Sequence, residues 1–289
     1  MTDTKNLITH LLEYATKQGA DLHLCPKSAP FVRLGGKSGS LKPIPDFEDS
    51  PLDVATVKAI VGELLTPEQK SELQKNKYVD VSFTYGELGR FRAYAYTQRG
   101  THAITIHTLP FEVPDIYNME LPDNMIAEIE SIITNPNGLI VIAVNYFSSA
   151  SAILAALVDL ANQWRNCHIS TIEKPIEYLH SHKSAVVIQK EIGADVADFK
   201  TALEQVRHEN PDIVVISELR QADFLPVMEL AEERLVIAAL RINALHTNAD
   251  EIVAALRKAI QSEACVFPPN PKITIIGQQD NEISVFDNS

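Results

Sequence analysis

The chain has 289 residues, 45% hydrophobic and 22% charged, and this ordinary globular mixture does not indicate intrinsic disorder over a long span. Its formal net charge of -13 at pH 7 repels phosphate backbones and argues against general nucleic-acid binding. The three cysteines are far apart and odd in number, so they predict reduced thiols and neither a disulfide framework nor a zinc site.

The first part of the chain has the pattern of an α+β domain. Apolar residues at helical spacing predict an opening helix that ends at Gly19, and two more helices are predicted at 53–64 and from Thr66 onward. Alternating apolar and polar residues predict half-buried strands at 21–24, 31–34, 79–85, 90–98 and 102–109. Prolines at 110, 114 and 122 indicate a linker between two domains.

The second part of the chain has the pattern of a parallel α/β domain. Residues 138–144 form a continuous apolar run, which is typical of a strand buried on both faces. Further buried strands are predicted at 167–172, 213–216 and 235–240, with helices at 150–163, 199–207 and 222–232. Strands that alternate with helices indicate βαβ units, and residues 272–286 predict a β-hairpin.

A buried strand, a loop and a helix in this order are the setting of a phosphate-binding loop, G-x-x-x-x-G-K-[ST]. Its glycines let backbone amides close around phosphates, its lysine neutralises charge and its hydroxyl holds Mg²⁺. In this chain residues 144–151 read VNYFSSAS, with neither glycine nor lysine. The bulky Tyr146 and Phe147 would fill the place of an anion.

Several separate motifs carry a family resemblance. They are GADLHL at 19–24, GRFRAYAY at 89–96, TIEKPIE at 171–177 and NPDIVVISELR at 210–220. Together they resemble the type IV pilus retraction ATPases of the secretion ATPase superfamily, and the resemblance covers most of the chain.

The resemblance implies an α/β fold in three parts. We expect an N-terminal α+β, PAS-like domain at 1–112 and a RecA-like, degenerate ATPase core with a mostly parallel sheet at 113–262. A short tail with a possible hairpin, at 263–289, would stand in place of a truncated C-terminal region. Family members form hexameric rings through contacts between the N-terminal domain of one subunit and the core of the next.

Several departures from the family fall on the phosphate loop. Val144 and Ser149 stand where its flanking glycines belong, Ala150 has the lysine position, and Ser151 keeps the hydroxyl that would hold a metal. The degenerate nucleotide-binding loop comprises Val144, Asn145, Ser148, Ser149, Ala150 and Ser151.

Three carboxylates match the family's catalytic positions. Glu218 matches the catalytic glutamate, and Glu173 and Glu177 belong to the acidic box; without the lysine we interpret all three as vestigial or structural. We expect no metal site and no cofactor, the alternative being ATP with Mg²⁺.

Three basic residues are candidates for contacting a phosphate: Arg99, Lys174 and Arg241. Lys174, which replaces the aspartate of the acidic box, could substitute for the missing lysine or could pair with Glu173, Glu177 or another acid. Arg241 could equally pair with acids of this acidic chain.

The resemblance and these losses predict a catalytically inactive homologue that acts as an interaction or regulatory subunit of the pilus motor. The alternatives are an ATPase with a rearranged phosphate site and a sensor that binds nucleotide without hydrolysis. The expected partners are retraction ATPase subunits, in a homo- or hetero-oligomer, and no nucleic acid. The expected location is the cytoplasm, peripheral to the inner-membrane pilus base.

Overall fold

The computed structural model describes residues 2–34, 39–109, 112–119, 123–145, 150–242, 273–279 and 282–287. The chain divides into two compact units, Met1–Phe111 and Glu112–Ser289. This division lies beside the boundary that the sequence analysis expects between residues 112 and 113.

The first unit is a six-stranded antiparallel sheet with three helices. The helices are α1 (Thr2–Gln18), α2 (Val54–Leu64) and α3 (Pro67–Asn76). The strands are β1 (Asp21–Leu24), β2 (Phe31–Arg33), β3 (Leu41–Pro43), β4 (Tyr78–Tyr85), β5 (Gly89–Gln98) and β6 (Thr101–Leu109). They lie in the order β3-β2-β1-β6-β5-β4.

Residues along β5 alternate between buried and exposed positions, so one face of the sheet lies against the core. Phe91, Ala93 and Ala95 are at most 1% exposed and belong to the core of this unit, whereas Tyr94 between them is 39% exposed. Helix α1 contributes its apolar stripe to the same core, as its spacing predicts. Helix α3 begins with a capping box between Thr66 and Gln69, which confirms the predicted start.

The second unit is a seven-stranded, mostly parallel sheet with helices on both faces. Its helices are α4 (Asp123–Ile133), α5 (Ser151–Trp164), α6 (Phe199–Glu209) and α7 (Phe224–Glu233). Its strands are β7 (Gly138–Asn145), β8 (His168–Glu173), β9 (Val186–Glu191), β10 (Ile213–Leu219), β11 (Leu235–Ile242), β12 (Ile273–Gln279) and β13 (Glu282–Asp287). The order is β13-β12-β7-β11-β10-β8-β9, and β13 alone runs antiparallel, against β12.

Two cores lie on the two faces of this sheet. On β10, Ile213 and Val215 pack with α4 and α5, while Val214 and Ile216 pack with α6 and α7. Strands covered on both faces have to be apolar at every position, which is why β7, β10 and β11 read as continuous apolar runs.

The structure confirms the predicted α/β class and most elements, and it adds three that the sequence analysis missed, namely β3, α4 and β9. The predicted linker contributes to the core of the second unit, because Ile116 within it is 2% exposed and packs in that core. The tail hairpin joins the sheet of the second unit, since β12 runs parallel to β7.

Within the described ranges, no helix is long and apolar enough to cross a bilayer.

Leu157→Ala should destabilise the second unit, because Leu157 on α5 is 0% exposed and its truncation leaves a cavity that costs about 2–5 kcal/mol. Leu225 on α7 is 39% exposed, so Leu225→Ala, the matched control, should cost only about 0.5 kcal/mol. The single tryptophan, Trp164, ends α5, so its fluorescence reports the unfolding of this unit in urea. Equal free energies of unfolding for the two variants would contradict this assignment of the core.

Candidate functional site

The candidate site lies at the carboxyl ends of the parallel strands, where β7 leads into α5. Strand β7 lies between β11 and β12, and ligands of open parallel sheets bind at this edge. Val144 and Asn145 continue the strand: Val144 pairs with Arg241 of β11 and with Gln278 of β12. The predicted loop positions Ser148 and Ser149, with Tyr146 and Phe147, lie outside the described residues.

Ala150 is the residue before the first turn of α5. Its φ of -83° and ψ of -11° are ordinary helical values, it is 7% exposed, and no side chain caps the helix there. A methyl group therefore occupies the position where a phosphate loop would present an ammonium group.

Ser151 and Glu177 meet, as the resemblance implied for two members of one site. The Ser151 hydroxyl donates a hydrogen bond of 2.5 Å to Oε2 of Glu177. Ser151 is the first residue of α5, so a carboxylate of the protein lies at the positive end of the helix dipole, where negative charge is stabilised.

Glu173 accepts hydrogen bonds from two neutral donors. Its Oε1 accepts hydrogen bonds from Thr171 Oγ1 at 2.6 Å and from Gln189 Nε2 at 3.0 Å. Gln189 also donates to the carbonyl of Tyr178 and accepts from the amide of His180. These bonds give Glu173 a place in a structural network around β9.

Lys174 does not pair with the acidic box. Its backbone amide donates to Ser217 Oγ at 3.1 Å, but no salt bridge joins its side chain to Glu173 or Glu177 in the described part of the chain. Lys174 instead lines a cavity together with Glu218 and Arg220.

Glu218 has a cation beside it that the sequence analysis did not single out. Arg220 Nη2 lies 3.5 Å from Glu218 Oε2, with the two side chains 65% and 40% exposed. A pair this exposed contributes about 1 kcal/mol or less. The contact places a positive charge beside Glu218.

The two further basic candidates stay predictions as contacts of a phosphate. Arg99 lies in the turn between β5 and β6 of the first unit, with a φ of +47°. Arg241 is described by its backbone, which pairs with Val144.

The 174–185 loop is fixed to α5 by buried polar contacts that sequence reasoning missed. Lys183 Nζ donates to both carboxylate oxygens of Asp159, at 2.6 and 2.9 Å. Asn162, at 0% exposure, donates to the carbonyl of Ser181 and accepts from the amide of Lys183. The signal was a charged residue and an amide on an otherwise apolar helix, which predicts a buried partner.

His180 on this loop is neutral in the fold. Burial lowers the pKa of His180 from 6.5 to about 4, while Asp159 opposes this change and Lys183 adds to it. The unfolded chain therefore binds one more proton than the folded chain between these values, and the contribution of His180 to stability is lost as the pH falls from 6.5 towards 4.

Comparison with known proteins gives these features a context. The family described as "Type II/IV secretion system protein" matches residues 98–257, more than half of the chain. The type IV pilus retraction ATPase PilT of Pseudomonas aeruginosa is 29% identical over 269 residues, 93% of this chain and 73% of that protein. The type IV pilus ATPase PilU of the same organism is 25% identical over 239 residues, 82% of this chain and 60% of that protein.

A solved structure agrees with these relatives. The crystal structure of the pilus retraction motor PilT with bound ADP superposes with a TM-score of 0.77 at 26% identity, covering 96% of this chain and 81% of that one. The predicted resemblance to type IV pilus retraction ATPases is thereby confirmed.

Lys183→Met should weaken the second unit by about 1–3 kcal/mol, because it leaves the mostly buried carboxylate of Asp159 without its cation. Arg207→Met is the matched control: Arg207 pairs with Glu229 while both side chains are about half exposed, so its loss should cost about 0–1 kcal/mol. Unfolding in urea followed by circular dichroism gives both values.

The double variant Asp159→Asn with Lys183→Met tests the cause of the loss. It should be more stable than Lys183→Met alone, since no buried charge is left unpaired. A double variant no more stable than that single variant would show that Asp159 does not need Lys183.

Proposed function

Because this chain belongs to the type II/IV secretion system protein family, we propose that it is a non-catalytic member that works as an interaction or regulatory subunit of a type IV pilus motor. The family is one of ATPases related to pilus retraction proteins. The proposal concerns the loss of ATP hydrolysis and the retention of contacts with other motor subunits.

The observation that carries the proposal is the bond between Ser151 and Glu177. In a phosphate-loop protein this hydroxyl binds Mg²⁺ and the preceding lysine neutralises the phosphates. Here Ser151 donates to a carboxylate at 2.5 Å, and the preceding residue is the buried Ala150. Loss of a charge-assisted contact of this kind costs about 2–4 kcal/mol of binding or transition-state stabilisation.

The contacts of the described acidic side chains support the loss of magnesium and triphosphate binding that this proposal includes. Across the described ranges, no group of three or more His, Cys, Asp or Glu side chains is placed to hold a metal ion. Glu173 accepts from Thr171 and Gln189, and Glu218 faces Arg220. We therefore infer no step that passes through Mg²⁺ or ATP.

The relatives support a role in a protein assembly. PilT and PilU are pilus ATPases by name, and the similarity to them extends over most of this chain. The proposal assigns to this chain the surfaces on which such subunits pack, and a subunit needs no turnover of its own to occupy a place in an assembly. The expected partner is an intact pilus retraction ATPase.

One observation favours a second candidate, an ATPase with a rearranged phosphate site. Lys174 and Arg220 line one cavity with Glu218, so two cations lie near the residue that matches the catalytic glutamate. This alternative would place the phosphates beside β8 and β10 and away from the turn before α5.

Purified protein should release no phosphate from ATP above the buffer rate, because position 150 offers no cation for the transferred phosphate. Glu218→Gln is the matched variant, which removes the candidate catalytic carboxylate, and it should give the same rate as the unaltered chain. Turnover in the unaltered chain that Glu218→Gln abolishes would refute inactivity and support the rearranged site. A phosphate-release assay with Mg²⁺ and ATP distinguishes these outcomes.

Mixed with the intact retraction ATPase of its own cell, the chain should elute with that motor in gel filtration and change its rate of ATP hydrolysis. The reason is that an inactive subunit either takes the place of active subunits in the assembly or restrains their conformational changes. Serum albumin at equal mass is the control for crowding. If the chain and the motor eluted separately and the motor's rate of ATP hydrolysis did not change, the regulatory role would be refuted. The phosphate-release assay of the chain itself would still stand as an independent test.

A further inference from the structure

A cavity of about 180 Å³ lies beside the carboxyl ends of β8 and β10, at the N-terminal ends of α6 and α7. We call it the α6–α7 cavity. Its wall has an apolar part, with Ile172 and Phe199, and a charged part, with Lys174, Glu218, Arg220 and Asp223. A concave site with an apolar wall and a few converging polar groups is the usual form of a small-molecule site.

The size of the cavity favours a small ligand. A cavity of about 150 Å³ in another protein holds benzene, which has about six non-hydrogen atoms. Sites for drug-sized ligands begin at about 300 Å³. The α6–α7 cavity, at about 180 Å³, therefore suits a ligand of about six to eight non-hydrogen atoms, far smaller than a nucleoside triphosphate.

Two of the lining acids already have partners. Glu218 lies 3.5 Å from Arg220, and this contact offsets one negative and one positive charge. Asp198, at the rim, accepts the amide hydrogen of Thr201 at 2.8 Å as the N-cap of α6.

One cation and one acid remain for a ligand. The Lys174 side chain makes no salt bridge in the described part of the chain. Asp223 is the residue before α7, and its side chain makes no capping hydrogen bond. Burial raises the pKa of Asp223, with Arg220 opposing the change, which is the behaviour of a carboxylate that lacks full solvation.

The charges disfavour the simpler ligand classes. With Glu218 and Arg220 offsetting each other, a simple anion would still meet the carboxylates of Asp198 and Asp223. A simple cation would meet Lys174, and the described residues contain no set of three metal ligands. An uncharged apolar ligand would desolvate Lys174 and Asp223 without replacing their hydrogen bonds.

We propose that the α6–α7 cavity binds a small α-amino acid with a short aliphatic side chain. Its carboxylate would accept from Lys174 Nζ and from the hydroxyl of Ser217, whose oxygen already accepts the Lys174 amide and whose hydrogen is thus free to donate to a ligand. Its ammonium group would donate to Asp223, and its side chain would pack on Ile172 and Phe199. The proposal uses no residue of the phosphate-loop position and does not rest on the absence of ATP hydrolysis.

Isothermal titration of the full chain with L-valine tests the proposal, with isovalerate and isobutylamine as its two half-ligands. L-valine should bind saturably and at least about tenfold more tightly than either half-ligand, because both charged ends are recognised. Binding of either half-ligand as tight as that of L-valine, or L-valine binding weaker than about 10 mM, would overturn the proposal.

Variants locate the binding in the cavity. Lys174→Met and Asp223→Asn should each weaken L-valine binding by at least about tenfold, and thermal melts followed by circular dichroism establish that both variants fold. Lys70→Met, at an exposed lysine on α3 of the first unit, is the matched control and should bind as the unaltered chain does. Unchanged affinity in both cavity variants would sink the proposal.

A parallel titration with ATP and Mg²⁺ keeps the two proposals separate. Tight ATP binding would favour the sensor that binds nucleotide without hydrolysis over an interaction subunit that binds none. It would leave the amino-acid site standing if L-valine binding still depended on Lys174 and Asp223.

Discussion

Helix α5 buries the carboxylate of Asp159 and the amide of Asn162. The 174–185 loop packs along this helix because groups of the loop form hydrogen bonds with both side chains. Asp159 is 9% exposed and Asn162 is 0% exposed, and unpaired polar groups at such depth would each cost several kcal/mol. Lys183 and the backbone of the loop supply the partners. The helix and the loop therefore determine each other's position, and with it the position of Glu177 at the first residue of the helix.

This coupling places a carboxylate at the N-terminus of α5. A helix N-terminus attracts anions whatever their source, and here the anion is a side chain of the protein. A phosphate in that place would have to displace Glu177 from Ser151, and it would find alanine at position 150 instead of a cation. Both effects act against phosphate on one site, so they are not independent and their energies do not simply add.

Most of the fold could be predicted because its helices and strands leave recognisable patterns in short stretches of the sequence. Buried parallel strands read as apolar runs, and helices show their period of 3.6 residues. The edge strand β9 was missed because only Val187 and Lys190 of its residues are buried, which gives no regular period. The pairing of Lys183 with Asp159 and of Glu218 with Arg220 depends on which residues the fold brings together, so the acids and bases were visible in the sequence but their partners were not.

The distribution of charge connects the altered site with the α6–α7 cavity. Residues 112–289 contain 12 Lys and Arg against 26 Asp and Glu, whereas residues 1–111 contain 13 against 12. The field of the second unit therefore repels a triphosphate before any contact forms, and a site there that binds ATP needs strong local cations, which the family supplies with the lysine that is absent here. A zwitterion has no net charge and meets no such long-range barrier, so a ligand that carries its own ammonium group can reach Lys174 through a surface that opposes a free anion.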